Sequence, residues 1–277
     1  MTSKKMKKTV LLFYGTALLL MIVFAVADLQ ISIAFDQPQS LLWRFFEAFG
    51  EWPLNTLAAL AAIFLWKTEK KDTKLARFVA YWCWGLTALV GAAMAGSLPL
   101  YFMLRDSNHD FPLWIVLAAP VALAICVLLV RQYGPKATPE SRPFALACVY
   151  YFWGALGLAH SMKILWGRVR FRELSEPFSG FTAWYLPQGN TGNFSFPSGH
   201  AIDAAAALLL VLLPRVFPAI KIKPGVLTSL AAVWLVLVAV SRVGLGAHYA
   251  SDVTVGATLG VTLFLVLKFR FFDRHSN

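Results

Sequence analysis

The chain has few charged residues and few cysteines. Asp, Glu, Lys and Arg make up 14% of its 277 residues and hydrophobic residues 58%, whereas soluble globular proteins are about 45–50% apolar. Its three cysteines lie inside apolar segments without the spacing of metal ligands, which argues against a zinc site or a disulfide framework. The shortage of charge excludes an ordinary soluble domain.

Acidic residues are fewer than basic residues. The chain has 14 Asp and Glu residues against 25 Lys and Arg residues, a net charge of +11. A basic balance is typical of proteins that bind nucleic acids. Here, however, the basic residues stand in short segments between apolar runs, where membrane orientation explains them. We therefore expect no nucleic-acid partner.

Long apolar runs predict an all-α, polytopic transmembrane helical bundle of about eight spans, since roughly 20 apolar residues suffice to cross a bilayer. The second run is the weakest, because it is short and contains Pro53 and Asn55. The amphipathic stretch 41–52 before it is also compatible with an interfacial helix. The spans cover roughly residues 10–27, 50–66, 78–103, 112–130, 144–166, 199–217, 225–243 and 252–270.

The distribution of basic residues predicts the orientation of these spans. Basic clusters fall on one side of an eight-span arrangement, which places both termini in the cytoplasm. The loop after the fifth span is the exception, because Arg168, Arg170 and Arg172 lie on the outer side. A local violation of the orientation rule suggests that these arginines have a function. The basic clusters occupy residues 4–8, 67–77, 131–142, 215–223 and 268–274.

The N-terminus permits two interpretations. Its lysines, its apolar stretch and Ala25-Val26-Ala27 are compatible with a cleavable signal peptide. A first spanning helix is the interpretation we favour.

His248 and Asp252 are four residues apart, before or at the start of the eighth span. If the helix includes both, they share one face. A carboxylate on one ring nitrogen fixes the tautomer and leaves the other nitrogen as a nucleophile. The alternative is a capped helix start, with Ser251 or Asp252 as the cap.

The sequence Pro197-Ser198-Gly199-His200 opens the sixth span. Free backbone N–H groups and the positive end of the helix dipole suit a phosphate at such a start. Gly199 allows close approach of the backbone, Ser198 adds a hydroxyl donor, and His200 is placed to protonate a departing oxygen. The alternative is an ordinary helix entry with an interfacial histidine.

Three cations complete the predicted anion site. Arg242 follows Ser241 and precedes His248 by six residues, while Lys163 and Arg170 are seven apart. An ammonium and a forked guanidinium suit different oxygens of one phosphate. Lys163 and Arg170 face the same way if their helix persists past Gly167. Otherwise they snorkel at the membrane interface.

Together these residues resemble the three-part signature of the type-2 phosphatidic acid phosphatase family. The motifs are Lys163-(six residues)-Arg170, Pro197-Ser198-Gly199-His200, and Ser241-Arg242-(five residues)-His248-(three residues)-Asp252. The second and third motifs match in full. The first departs from the family pattern, because Phe171 stands where a proline usually follows the arginine.

The resemblance implies a metal-independent, cofactor-free phosphatase that forms a phosphohistidine. In this reading His248 is the nucleophile, Asp252 orients it, and His200 is the acid toward the leaving group. The phosphate is bound by Lys163, Arg170, Arg242, Ser198 and the backbone of Gly199. The resemblance also divides the chain into N-terminal spans and a basic loop, 1–77, and a six-span phosphatase core, 78–277.

The predicted function is hydrolysis of a lipid-linked phosphate or diphosphate at the outer face of the cytoplasmic membrane. Polyprenyl diphosphate, phosphatidic acid, phosphatidylglycerol phosphate and lipid A-like phosphates are the candidate substrates, and membrane lipids are the expected surroundings. A phosphotransferase with a lipid acceptor and a non-enzymatic lipid transporter are the alternatives. The oligomeric state is not readable from the sequence.

Several further residues have two readings. Asp203 either tunes His200 or bonds a neighbouring helix. Arg168 and Arg172 either assist phosphate binding or face lipid headgroups. His160, three residues before Lys163, shares its helix face. The aromatic residues of the outer loop form an interfacial belt or an entrance for lipid tails: Phe178, Phe181, Trp184, Tyr185, Phe194 and Phe196.

Overall fold

The computed structural model describes residues 3–105, 113–134 and 139–274, and within these ranges the chain is helical without any β-strand. The all-α prediction is therefore confirmed. The α-helices are α1 (Ser3–Phe35), α2 (Leu41–Phe49), α3 (Trp52–Lys67), α4 (Lys74–Leu104), α5 (Leu113–Tyr133), α6 (Ser141–Trp166), α7 (Gly199–Ala204), α8 (Leu213–Val216), α9 (Pro224–Gly244) and α10 (Ala250–Lys268).

Eight helical segments in the described ranges are long and apolar enough to cross a membrane, which confirms the polytopic bundle. Each of them overlaps one predicted span. The second combines α2 with α3, and the sixth combines α7 and α8 with the 3₁₀ turn Ala205–Leu212 between them. The segments are Lys8–Phe35, Leu41–Lys67, Lys74–Leu104, Val116–Tyr133, Ser141–Trp166, Gly199–Val216, Pro224–Gly244 and Ala250–Asp273.

Small residues bring the helices close together. Gly256 on α10 lies so near α7 that an added Cβ would come within 2.5 Å of the carbonyl oxygen of Ser198. Gly260 meets the same helix one turn later, against the carbonyl of Ile202. Such contacts replace hydrophobic association as the source of packing inside a bilayer. They set the distance between the two helices whose first turns carry predicted site residues.

A buried tyrosine ties α6 to this pair of helices. The hydroxyl of Tyr151 lies 2.7 Å from the carbonyl oxygen of Ile202 and 3.1 Å from that of Gly260. Its side chain is fully buried, so both acceptors are shielded from water. Tyr151 therefore joins helices α6, α7 and α10 inside the bundle.

The N-terminal helices pack directly on the rest of the bundle. Helix α1 lies against α10, α2 lies against α4 and α9, and α3 lies against α4 and α6. Helix α1 runs without interruption through residues 25–27. The stretch that was compatible with an interfacial position, α2, buries Phe46, Glu47 and Ala48. The division into 1–77 and 78–277 stays a prediction, but the first part is in contact with the second.

Candidate active site

The predicted site residues converge at one end of the bundle, where α6 and α9 end and α7 and α10 begin. Gly167 ends α6 in the left-handed conformation, with φ of 54°, and an added Cβ there would collide with the carbonyl oxygen of Gly189. Glycine is the residue that tolerates this conformation. Helix α6 therefore ends at Trp166, and the next spanning segment begins at Gly199.

His248 is buried, and one of its ring nitrogens is occupied. Its Nδ1 lies 2.6 Å from the carbonyl oxygen of Ser195 and 3.6 Å from Oδ2 of Asp252. Burial lowers the pKa of His248 to about 3, against the opposing effect of Asp252. The ring is therefore neutral near pH 7. Because a carbonyl oxygen only accepts, Nδ1 holds the proton and Nε2 holds the lone pair.

The structure differs in one respect from the predicted arrangement of His248 and Asp252 on one helix face. Helix α10 begins at Ala250, so the two side chains do not share a helix face. Instead, Oδ2 of Asp252 accepts the backbone N–H of Tyr249 at 3.0 Å and the hydroxyl of Ser195. Asp252 thus caps the helix and holds the residue whose carbonyl orients His248.

Arg168 is a buried connector, which neither of its predicted roles anticipated. Its Nη1 donates to Oδ1 of Asp252 at 2.6 Å and to Ser251, and its Nη2 donates to Oδ2 of Asp28 at 2.9 Å. Burial alone lowers the pKa of Arg168, but the carboxylates of Asp252 and Asp28 outweigh it and raise the pKa. The guanidinium lies 3.9 Å from the ring centre of Tyr249. Arg168 therefore joins α1 to the first turn of α10.

His200 has an acceptor at each ring nitrogen. Its Nδ1 lies 2.9 Å from Oε1 of Glu51, and its Nε2 lies 3.1 Å from the backbone carbonyl oxygen of Glu47. The ring of Phe102 packs edge-on against it, with centroids 5.4 Å apart. The carboxylate that contacts His200 is thus Glu51 and not Asp203, for which tuning of His200 was one of two predicted roles.

Arg242 is 3% exposed and shares a carboxylate with Arg105. Its Nη1 lies 2.7 Å from Oε1 of Glu47, and Nη1 of Arg105 donates to the same oxygen at 2.9 Å. The Nε of Arg242 is buried and has no hydrogen-bond partner among the described residues. Buried donors are nearly always satisfied, so this N–H is suited to an anion that enters the site.

Lys163 lies over the start of α7. A Cβ added to Gly199 would stand 3.5 Å from the Nζ of Lys163, so the ammonium is next to the backbone that the sequence assigned to phosphate. Ser198 is fully buried, and its Oγ accepts the N–H of Ala201 at 3.4 Å as the cap of α7. The three residues Lys163, Ser198 and Gly199 are therefore brought together as predicted.

Arg170 lies beyond the break in α6, so it does not continue the helix face of Lys163. Its Nη1 donates to Oε1 of Glu173 at 3.1 Å, and it remains within electrostatic range of Lys163. Phe171, the departure from the family motif, is buried and begins the 3₁₀ turn Phe171–Glu173. Its ring stacks on that of Phe178, with centroids 5.6 Å apart.

A cavity of ≈ 110 Å³ extends from Lys163 and Gly199 toward the middle of the bundle. Glu51, Asp203 and His160 line it together with apolar side chains of α3, α4 and α6. Asp203 therefore faces the cavity. Among the described residues, no group of three or more His, Cys, Asp or Glu side chains has the arrangement of a metal site.

Four residues that position the site were not in the predicted set. They are Asp28, Glu47, Glu51 and Ser195. The three carboxylates were recognisable only as ionisable groups in or beside apolar segments, where such groups are expensive and usually paired. Ser195 gave no signal, because it acts partly through its backbone carbonyl.

Comparison with known proteins agrees with the sequence signature. The profile of the PAP2 superfamily matches residues 144–275. Phosphatidylglycerophosphatase B of Bacillus subtilis (strain 168) is 36% identical over 86 residues, which cover 30% of this chain and 42% of that protein. The chain thus matches less than half the length of that relative, and no solved structure matches it. The matched residues, 144–275, contain all three motifs, so the part of the chain that carries the candidate site is similar to the PAP2 superfamily.

Proposed function

We propose that this protein is an integral membrane phosphatase that hydrolyses a lipid-linked phosphate or diphosphate through a phosphohistidine at His248. The observation that carries the proposal is the state of His248. Its Nδ1 is held by the carbonyl oxygen of Ser195, so its Nε2 is a neutral nucleophile. The cations Lys163 and Arg242 lie within electrostatic range of the ring. A nucleophile beside two cations suits attack on a phosphate.

In the first step, Nε2 of His248 attacks phosphorus while the bond to the lipid oxygen breaks. His200 gives its proton to that oxygen, so an alcohol leaving group departs with a neutral hydroxyl instead of as an alkoxide. Lys163, Arg242 and Arg170, with Ser198 and the N–H of Gly199, hold the three remaining oxygens. These groups need no metal ion to balance the charge of the transition state.

In the second step, water attacks the phosphohistidine and transfers a proton to His200. Inorganic phosphate leaves, and both histidines return to their starting states. Asp252 supports the positive charge that His248 develops as the N–P bond forms.

The relative's name favours a glycerophospholipid substrate. Because phosphatidylglycerophosphatase B shares 36% identity over 86 residues, phosphatidylglycerol phosphate leads the substrate candidates. Phosphatidic acid, polyprenyl diphosphate and lipid A-like phosphates present the same phosphoryl group and belong in the same assay.

The proposed orientation places the site at the outer face of the cytoplasmic membrane and both termini in the cytoplasm. The basic segments after α3 and before α6 support this orientation. They lie together at the end of the bundle opposite the site, where Nη2 of Arg142 binds Oε2 of Glu69 at 3.3 Å. Because basic segments favour the cytoplasmic side, the site belongs on the outer side. Single cysteines introduced into 67–77 and 182–193, without the three native ones, should react from opposite sides. Labelling of both from one side would exclude this arrangement.

The test of function is phosphate release by the purified protein from the four lipid phosphates, with EDTA present and with or without vanadate. We expect release that EDTA does not reduce and that vanadate inhibits, because vanadate mimics the five-coordinate transition state. Loss of activity in EDTA that a divalent metal restores would overturn metal independence. Transfer of the phosphoryl group to an added lipid instead of water would identify a phosphotransferase.

A further inference from the structure

The segment Leu41–Lys67, formed by α2 and α3, contributes two acceptors to His200 although it lies outside the matched region, 144–275. One is the carboxylate of Glu51, at 2.9 Å from Nδ1, and the other is the backbone carbonyl of Glu47, at 3.1 Å from Nε2. Glu51 stands at the start of α3, but its side chain makes no capping hydrogen bond there. Its carboxylate is directed to His200 instead.

This pair of acceptors distinguishes between the protonation states of His200. A neutral imidazole has one N–H and one lone pair, so it satisfies only one acceptor. The other contact would then bring two lone pairs together. With both nitrogens protonated, each acceptor receives a hydrogen bond. The ring is 8% exposed, so water offers little compensation for an unmade bond.

Glu51 is the carboxylate that makes direct contact with His200. The carboxylate of Glu47 is within electrostatic range of the ring, but its Oε1 is bound by Arg242 and Arg105. Asp203 interacts electrostatically with Glu51 and Lys163 across the cavity. Of these acids, Glu51 alone is placed to accept the Nδ1–H.

We propose that Glu51 is a positioning residue that keeps His200 doubly protonated and so ready to act as the leaving-group acid. The inference rests on the proposed function and adds a residue to that site. When the lipid oxygen departs, it takes the Nε2 proton in place of the Glu47 carbonyl, and His200 keeps its Nδ1–H on Glu51. Attack of water on the phosphohistidine then returns a proton to Nε2.

The first experiment is a double-mutant cycle of Glu51→Gln and His200→Ala. We expect Glu51→Gln to lower kcat/KM on a lipid monophosphate by about 10-fold or more, since it removes part of the benefit of a general acid. The same change in the His200→Ala background should have no further effect, because Glu51 acts through His200. Equal losses in both backgrounds would overturn the proposal.

Two further variants separate positioning from folding. Glu51→Asp keeps the carboxylate and should restore part of the rate lost in Glu51→Gln. Glu140→Gln is the matched control, because Glu140 is exposed before α6, at the end of the bundle away from the site, and its loss should leave kcat/KM unchanged. A Glu51→Asp protein that is folded but as slow as Glu51→Gln would count against a carboxylate contact.

The second experiment does not depend on turnover. In protein with ¹⁵N-labelled histidine at pH 7, the His200 ring should show two protonated nitrogens, and Glu51→Gln should show one. A neutral His200 ring in the wild-type protein overturns the positioning role even if the enzyme is active. Two protonated nitrogens in a protein that hydrolyses no lipid phosphate would instead overturn the proposed function and leave the contact itself established.

Discussion

The two histidines of the candidate site have partners in different parts of the chain. His248 stands between α9 and α10, and its Nδ1 is bound by the Ser195 carbonyl within the region shared with the PAP2 superfamily. His200 opens α7, and both of its ring nitrogens face acceptors on the segment formed by α2 and α3, outside that region. One ring is arranged to hold a lone pair, and the other is arranged to hold two protons.

The difference shows that chemical role follows from partners. A carbonyl acceptor and a buried setting keep His248 neutral, as its proposed role of nucleophile requires. A carboxylate and a backbone carbonyl face the two ring nitrogens of His200, which is the arrangement that its proposed role of leaving-group acid requires. Four predictions test this contrast, beginning with the largest expected effect.

Replacing His248 with alanine should abolish the reaction. Loss of a catalytic nucleophile costs about 10³-fold or more in kcat, and the acid-labile phosphoenzyme should disappear with it. Rapid-quench trapping of labelled phosphate measures both. The matched control is Thr228→Ala, whose exposed hydroxyl contacts the backbone carbonyl of Pro224 at the end of α9 away from the site, and it should retain most of the activity. Phosphoenzyme that persists in His248→Ala would assign the nucleophile to another residue.

The loss of activity in His200→Ala should depend on the leaving group. An alkoxide needs a proton in the transition state, whereas a departing phosphate carries its own negative charge. We expect His200→Ala to lower kcat/KM by about 10²–10⁴-fold on a lipid monophosphate and by less on the matched diphosphate. Both substrates are compared under conditions where chemistry limits the rate. Equal losses would show that His200 mainly binds phosphate.

Replacing Arg168 with methionine should destabilise the protein. It leaves Asp28 and Asp252 buried without their common cation, and breaking a buried ion pair on one side costs about 3–5 kcal/mol. Unfolding in detergent measures the loss. Arg172→Met is the control, because that side chain is exposed and should change stability little. Equal stability of the two variants would remove Arg168 from its connecting role.

Acid should destabilise the wild-type protein more than His248→Gln. The pKa of His248 is about 3 in the folded state because of burial, against an ordinary value of 6.5. Between these values the unfolded chain binds a proton that the folded one does not, so stability falls as pH decreases. From pH 6.5 to 4.5 the extra loss is about 2 kcal/mol. If the free energy of unfolding changed with pH in the same way in both proteins, His248 would not be held neutral in the folded state.

The sequence predicted the number of spans and the site residues better than it predicted the ends of the helices. Span number and helical class follow from hydropathy, because a bilayer admits only long apolar helices or closed barrels. The order and spacing of Lys163, Ser198, Arg242 and His248 predicted which residues would meet. Helix ends were less predictable, because they depend on local details such as the left-handed Gly167 and the start of α10 at Ala250.

Contacts between distant segments were beyond prediction from one sequence. Asp28 and Arg168 are 140 positions apart, and His200 and the Glu47 carbonyl are 153 apart. Nothing in local spacing pairs such residues, although each carboxylate lies in or beside an apolar helix, where a partner is expected. Ser195 is a further case, since a backbone carbonyl leaves no mark in the side-chain pattern.

The sequence by itself determined an eight-span helical protein and named the groups that we propose to bind and attack a phosphate. The physical reasons are the cost of exposing polar backbone to lipid and the fixed chemistry of histidine, lysine and arginine. Only the tertiary structure decided which neighbour each of these groups contacts. It brought the carbonyl of Ser195 to His248, Glu51 to His200 and Asp28 to Arg168, because protonation and orientation in a buried site depend on the nearest acceptor.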